Sequence, residues 1–134
     1  MPASLRIELF PSDLGRMIDF YSGVLQFKLL KRQGAYAYLQ RDNIFIGAIE
    51  TPSSDTLEQK QIYRSPNKGI EIVFAVDELK HERDFIVSKG WQLDADIAVQ
   101  PWGLEDFRLT DPDGYYLRIT THSIKSETAQ GPSL

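Results

Sequence analysis

Residues 4–27, SLRIELFPSDLGRMIDFYSGVLQF, pass from one hydrophobic period to another across a short break. Leu5, Ile7 and Leu9 alternate with Arg6, Glu8 and Phe10, the two-residue period of a half-buried strand. Pro11-Ser12-Asp13 interrupts it, and Ser12 or Asp13 is placed to cap a helix by accepting from its first unpaired N–H groups. Leu14, Met17, Ile18, Tyr21, Val24 and Leu25 then recur at helical spacing, so an amphipathic helix is expected over 13–25. Gly15 and Gly23 weaken it locally.

Three strands are expected next, over 27–31, 35–40 and 43–50, with Arg41-Asp42 as a two-residue hairpin turn. Residues 51–68 are polar, contain two prolines and read as a long connection. The plan then repeats. Ile70, Ile72, Phe74 and Val76 alternate, Asp77 is placed to cap a helix running to Lys89, and Gly90 is its stop signal. Strands are expected over 91–97, 105–110 and 115–121. Asp19-Phe20 recurs as Asp84-Phe85, and Phe27-Lys28-Leu29 as Trp91-Gln92-Leu93. Matching element order points to an internal duplication. The expected class is α+β: one domain over 1–134 made of two tandem βαβββ modules (4–50 and 69–122), a linker over 51–68 and a flexible tail over 123–134.

At 134 residues with 42% hydrophobic and 25% charged content, the chain has the composition of a globular protein rather than a disordered one. No apolar run approaches the ~20 residues of a membrane span. The N-terminus lacks a secretory layout, so a cytoplasmic location is expected. The net charge of −4 argues against a nucleic-acid partner. With no cysteine and two histidines, thiolate chemistry is excluded and a metal centre has little material. His81 falls among Lys80, Glu82 and Arg83 in the second helix, a solvated setting. No Gly-rich phosphate loop and no nucleophile elbow is found.

Candidate chemistry lies on strand faces opposite the apolar ones. Strand one offers Arg6 and Glu8, strand five Glu71, and strand eight Arg118 between Tyr116 and Thr120. A turn at Asp111-Pro112-Asp113-Gly114 sets Phe107 opposite Arg118 and Leu109 opposite Tyr116. The turn at Arg41-Asp42 sets Tyr38 opposite Phe45 and Tyr36 opposite Gly47. Cross-strand partners share a face, so Tyr36, Tyr38, Phe45, Phe107 and Tyr116 are expected to join the charges on a concave surface; a slip of one residue moves them off it. Equally, these aromatics serve as core. Gln100-Pro101-Trp102-Gly103 either presents a rigid stacking ring at a pocket mouth or only plugs a turn.

Three segments carry a resemblance: Ser12-Asp13-Leu14 through Phe27, Phe74-Ala75-Val76-Asp77-Glu78-Leu79, and Asp111-Pro112-Asp113-Gly114. Together they resemble the glyoxalase/bleomycin-resistance/extradiol-dioxygenase group, the vicinal oxygen chelate superfamily, over roughly residues 4–121. The resemblance implies curled mixed sheets forming a cup. Metal-dependent members hold a divalent ion with ligands on the first, fourth, fifth and eighth strands. The matching positions here are Arg6, Gly47, Glu71 and Arg118. Guanidinium groups have no lone pair to give, so no metal, no cofactor and no lactoylglutathione lyase activity are expected. An Arg6–Glu71–Arg118 cluster would instead serve as an ion-pair cement or as a site of net +1 charge for a carboxylate or phosphate.

Gln100-Pro101-Trp102-Gly103 and Phe107 to Pro112 look most like the metal-free bleomycin-resistance proteins, which are intertwined homodimers that sequester a cationic drug. That likeness makes Trp102 and Tyr36 groove aromatics. The chain departs from it at Ile70-Glu71-Ile72, where those proteins offer a tryptophan, and at Lys28, Lys31 and Arg32, where they are acidic. The expectation is a small-molecule-binding homodimer without turnover, with Trp102, Tyr36, Tyr38, Phe45, Phe107 and Tyr116 as walls and Arg6, Glu71 and Arg118 as polar floor. Two alternatives are an enzyme with Glu71 as general base and the two arginines stabilising an anion, and a scaffold whose cup is plugged.

Overall fold

The computed structural model describes residues 2–64 and 69–122, and the expected tail over 123–134 lies outside them. The element order is β1 (Ile7–Leu9), α1 (Leu14–Gly23), β2 (Lys28–Gln33), β3 (Tyr36–Arg41), β4 (Ile44–Ile49), α2 (Leu57–Arg64), β5 (Ile72–Ala75), α3 (Leu79–Ser88), β6 (Ala95–Val99), β7 (Glu105–Thr110) and β8 (Tyr116–Thr120). The βαβββ plan thus occurs twice, and the chain is α+β with two open four-stranded mixed sheets, ordered β1-β4-β3-β2 and β5-β8-β7-β6. In each, the first strand pairs parallel with the last and the other pairs are antiparallel. The chain divides into two compact units, one reaching to Ile62 and taking in Asp111–Gly114, the other comprising Tyr63–Thr110 and the residues from Tyr115. No helix among the described residues is long and apolar enough to cross a membrane.

In the first unit, α1 begins at Asp13, whose carboxylate accepts from Arg16 N at 3.1 Å; of the two possible caps, Asp13 serves. The helix packs on β2 and β3, burying Leu14, Met17, Ile18, Phe20 and Tyr21 with Leu9, Ala37, Leu39, Ile46 and Ala48. Tyr21 meets Phe20 and Phe27 edge-on and donates its hydroxyl to Asp111 Oδ2 at 2.8 Å.

The connection over 51–68 is not structureless, because it contains α2. Thr56 Oγ1 accepts from Gln59 N while Gln59 Oε1 accepts from Thr56 N, a reciprocal capping box written in the sequence as Thr56-Leu57-Glu58-Gln59. Lys60 on this helix is buried and donates to Asp113 Oδ1 and Ser12 Oγ.

In the second unit, Ile72, Phe74, Phe107, Leu109, Leu117 and Ile119 form the core with Leu79 and Ile86 of α3. Asp77 does not cap that helix. The N-cap is Glu78, without a side-chain hydrogen bond, and the Asp77 carboxylate lies 3.2 Å from His122 Nε2. The strand expected over 91–97 begins later, at Ala95, because Gly90 turns the chain at φ +81° and the Trp91 indole N–H donates to Thr110 O.

Two registers differ from expectation. On β3 and β4, Tyr36 opposes Ile49, Tyr38 opposes Gly47 and Gln40 opposes Phe45, a slip of two residues. The turn sits at Asp42-Asn43, with Asp42 at φ +50°, and not at Arg41-Asp42. An even slip preserves faces, so the aromatics stay together. On β7 and β8, Phe107 opposes Ile119 and Arg108 opposes Arg118, a slip of one residue. The loop from Asp111 to Tyr115 is one residue longer than a four-residue turn, and that odd count puts Phe107 on the core side.

Candidate binding site

Strand parity in the second unit separates an apolar face from a charged one. Asp106 and Arg108 on β7 alternate with Phe107 and Leu109; Tyr116 and Arg118 on β8 alternate with Leu117 and Ile119. Glu71, just ahead of β5, joins the charged face. There Arg118 Nε lies 3.2 Å from Glu71 Oε1, and Arg118 Nη1 lies 3.7 Å from Asp106 Oδ2. Arg108 Nε lies 3.6 Å from Asp106 Oδ1, and its Nη1 lies 3.9 Å from Glu71 Oε2. The four side chains close a ring of alternating charge. Asp106, with only 2% of its side chain exposed, sits deepest. Its Oδ1 also accepts from Gln100 Nε2 at 3.0 Å, whereas Asp106 Oδ2 and Arg118 Nε are buried without a hydrogen bond. Arg108 Nη1 donates to the Tyr116 hydroxyl, and that bond, reinforced by the Asp106 charge, raises the guanidinium further above its ordinary range.

Trp102 stands over this ring. The turn Gln100 to Gly103 closes through Gly103 N donating to Gln100 O, with Gly103 at φ +92°, a conformation glycine adopts without strain. The indole lies 5.2 Å from the Arg118 guanidinium and remains 56% exposed. An open groove of about 500 Å³ runs beside it, lined by Val73, Ala75, Leu104, Thr120, Trp102 and Arg118. Thr121 and His122 complete its lining.

The first unit gathers the other candidates. Tyr38 and Phe45 stack at 6.1 Å, and Arg6 lies 5.8 Å from the Tyr38 ring. Tyr36 shares their face. Arg6 Nε lies 2.8 Å from Glu8 Oε2, and the Glu8 carboxylate lies over Gly47, in the space a β-carbon there would need.

Of the expected site residues, Glu71, Arg118, Trp102 and Tyr116 come together in the second unit, and Arg6, Tyr36, Tyr38 and Phe45 in the first. Phe107 joins neither group, being fully buried in the core. Arg108, Asp106 and Gln100 were not among the expected residues. The signal for Asp106 and Arg108 was present in the alternation of 105–110, and the assumed turn length obscured it, whereas Gln100 belongs to the Gln100-Pro101-Trp102-Gly103 turn.

The residues at the metal-ligand positions do not fit a divalent ion. Glu71 is already held by two guanidiniums, and Gly47 has no donor side chain. Among the described residues, no three His, Asp or Glu side chains gather as a ligand set.

A family model described as "Glyoxalase/Bleomycin resistance protein/Dioxygenase superfamily" matches residues 4–119. Comparison with curated proteins gives no match. Among solved structures, the bleomycin resistance determinant encoded on transposon Tn5 superposes with a TM-score of 0.72 at 21% identity, covering 91% of this chain and 99% of that one. TioX from Micromonospora sp. ML1 gives 0.71 at 19% identity, covering 90% and 99%. A bleomycin-binding protein complexed with bleomycin gives 0.68 at 22% identity, covering 90% and 100%. At these identities the structures speak for the fold alone. With the doubled βαβββ plan and a family match over most of its length, the chain belongs to the glyoxalase/bleomycin resistance protein/dioxygenase superfamily.

Proposed function

We propose that the chain is a metal-independent binding protein of the glyoxalase/bleomycin-resistance type, which holds a small, partly aromatic molecule without transforming it and works as a homodimer in the cytoplasm. The observation that carries this reading is the ion-paired Arg118 guanidinium beneath the exposed Trp102 ring, at the edge of a mostly apolar groove. Apolar walls with a few fixed polar groups are what a small-molecule site needs. Trp102 and Tyr116 act as walls, with Glu71 and Arg118 as floor, while Tyr36, Tyr38, Phe45 and Arg6 offer a further aromatic surface. A structural neighbour crystallised with bleomycin supports sequestration of a small molecule as the role. Against catalysis, the Glu71 carboxylate is already engaged, 3.2 Å from Arg118 Nε and 3.9 Å from Arg108 Nη1.

Equilibrium dialysis against metabolite and antibiotic panels, with sedimentation to give the oligomeric state, tests the reading. A molecule retained and recovered unchanged supports it. No retained ligand, together with turnover of a substrate by the purified protein, overturns it. Zinc, nickel or manganese binding stoichiometrically through Glu71 would overturn metal independence.

A further inference from the structure

We propose that the groove beside Trp102 selects uncharged, flat aromatic molecules bearing a carbonyl-type acceptor, and that Glu71 and Asp106 are the residues that exclude anions. The inference rests on the binding reading above and names its ligand class. The ring of Glu71, Arg118, Asp106 and Arg108 contains two carboxylates and two guanidiniums, each within 4 Å of two opposite charges, so it sums to zero. An arginine left unpaired at a pocket floor recruits carboxylate or phosphate. Here both arginines are already answered.

An incoming anion would have to expel the Glu71 carboxylate from Arg118 or lie beside it, and a cation has no spare acid to meet. Either ion would shed water without a compensating partner, which is unfavourable in a partly dehydrated site. Asp77, near the groove's margin beside His122, is largely exposed, and water screens its charge. A neutral acceptor meets no such penalty. It can take an N–H from the partly exposed Arg118 guanidinium while Glu71 stays in place. The Thr120 hydroxyl is already engaged with Glu105 O, while Arg118, Thr121 and His122 in the groove's lining offer donors to such a ligand. Val73, Ala75 and Leu104 supply apolar walls and Trp102 a stacking face.

Two fluorescent naphthalene probes test this: neutral propionyl-dimethylaminonaphthalene, which carries a ketone acceptor, and anionic anilinonaphthalene sulfonate, read as the binding that Trp102→Ala abolishes. In the intact protein the neutral probe is expected to bind at least about tenfold more tightly than the sulfonate. Glu71→Gln gives the ring a net positive charge, and the preference should shrink by about tenfold or reverse. Asp106→Asn makes the same charge change from beneath the groove and should move the ratio the same way, so the test survives if either variant fails to fold. Equal Trp102-dependent binding of both probes, or a ratio unmoved by the folded variants, overturns the ligand class and leaves the binding function standing. Absence of Trp102-dependent binding by either probe overturns both.

Discussion

The Lys60 ammonium and the Asp113 carboxylate, both more than nine-tenths buried, meet at 2.5 Å between α2 and the loop that follows β7. Ser12 Oγ accepts from the same ammonium at 2.9 Å, and Ser12 N and Oγ both donate to Asp113 Oδ1. Removing the acid strands a buried cation. Asp113→Ala should therefore cost about 3–5 kcal/mol, read as a lower urea midpoint, whereas replacing Lys60 and Asp113 together by apolar residues should recover most of it.

Gly47 is required by its neighbour. A β-carbon there would lie 2.2 Å from Glu8 Oε2, so Gly47→Ala must push the carboxylate off β4 and disturb its pairing with Arg6. Glu8 is flexible, and the expected loss is about 1–2 kcal/mol. In a Glu8→Ala background the same substitution should be nearly neutral. A double-mutant cycle in urea checks the coupling.

Phe107 and Tyr36 separate core from surface. Phe107 is fully buried, and Phe107→Ala should destabilise by about 3–5 kcal/mol. Tyr36 is only half-buried on the open face of its sheet, so Tyr36→Ala should cost under about 1 kcal/mol. Thermal unfolding of the two variants would show the contrast.

Acid should weaken the tie between α3 and β6. Arg83 grips Asp96 through two bonds, Nε to Oδ1 at 2.9 Å and Nη2 to Oδ2 at 2.6 Å. Its hydrogen bond, helped by Ile97 N, lowers the Asp96 pKa from the ordinary 3.8 to about 2. The folded state thus favours the ionised carboxylate. Its contribution is complete above the ordinary value and is lost as pH falls through about 2. Asp96→Asn should lower the urea midpoint near about pH 5 and converge with the parent protein at about pH 2, by a small amount because the pair is exposed.

Most of the fold was legible because alternation and helical spacing depend on local burial, and both modules repeat them. The α2 helix escaped because its apolar residues Leu57, Ile62 and Tyr63 are exposed and its one deeply buried side chain is Lys60, which carries no hydrophobic signal. The Thr56–Gln59 box was the readable clue. At the site, the charged face could be read from Arg118 and Glu71, but which β7 residues joined it hung on one residue of loop length. An even error at the β3–β4 turn left Tyr38 beside Phe45, whereas an odd error after Thr110 exchanged Phe107 for Arg108. Trp102 was recognisable because proline and glycine flank it.

The short loop Asp111–Gly114 belongs to the N-terminal unit, where Asp113 meets a residue 101 positions upstream and Asp111 one 90 positions upstream. A ribosome therefore delivers the residues through Gly114 before that unit can close. A nascent or prematurely terminated product shows an ammonium and a phenol that the finished molecule hides, and proteolysis can distinguish the two forms.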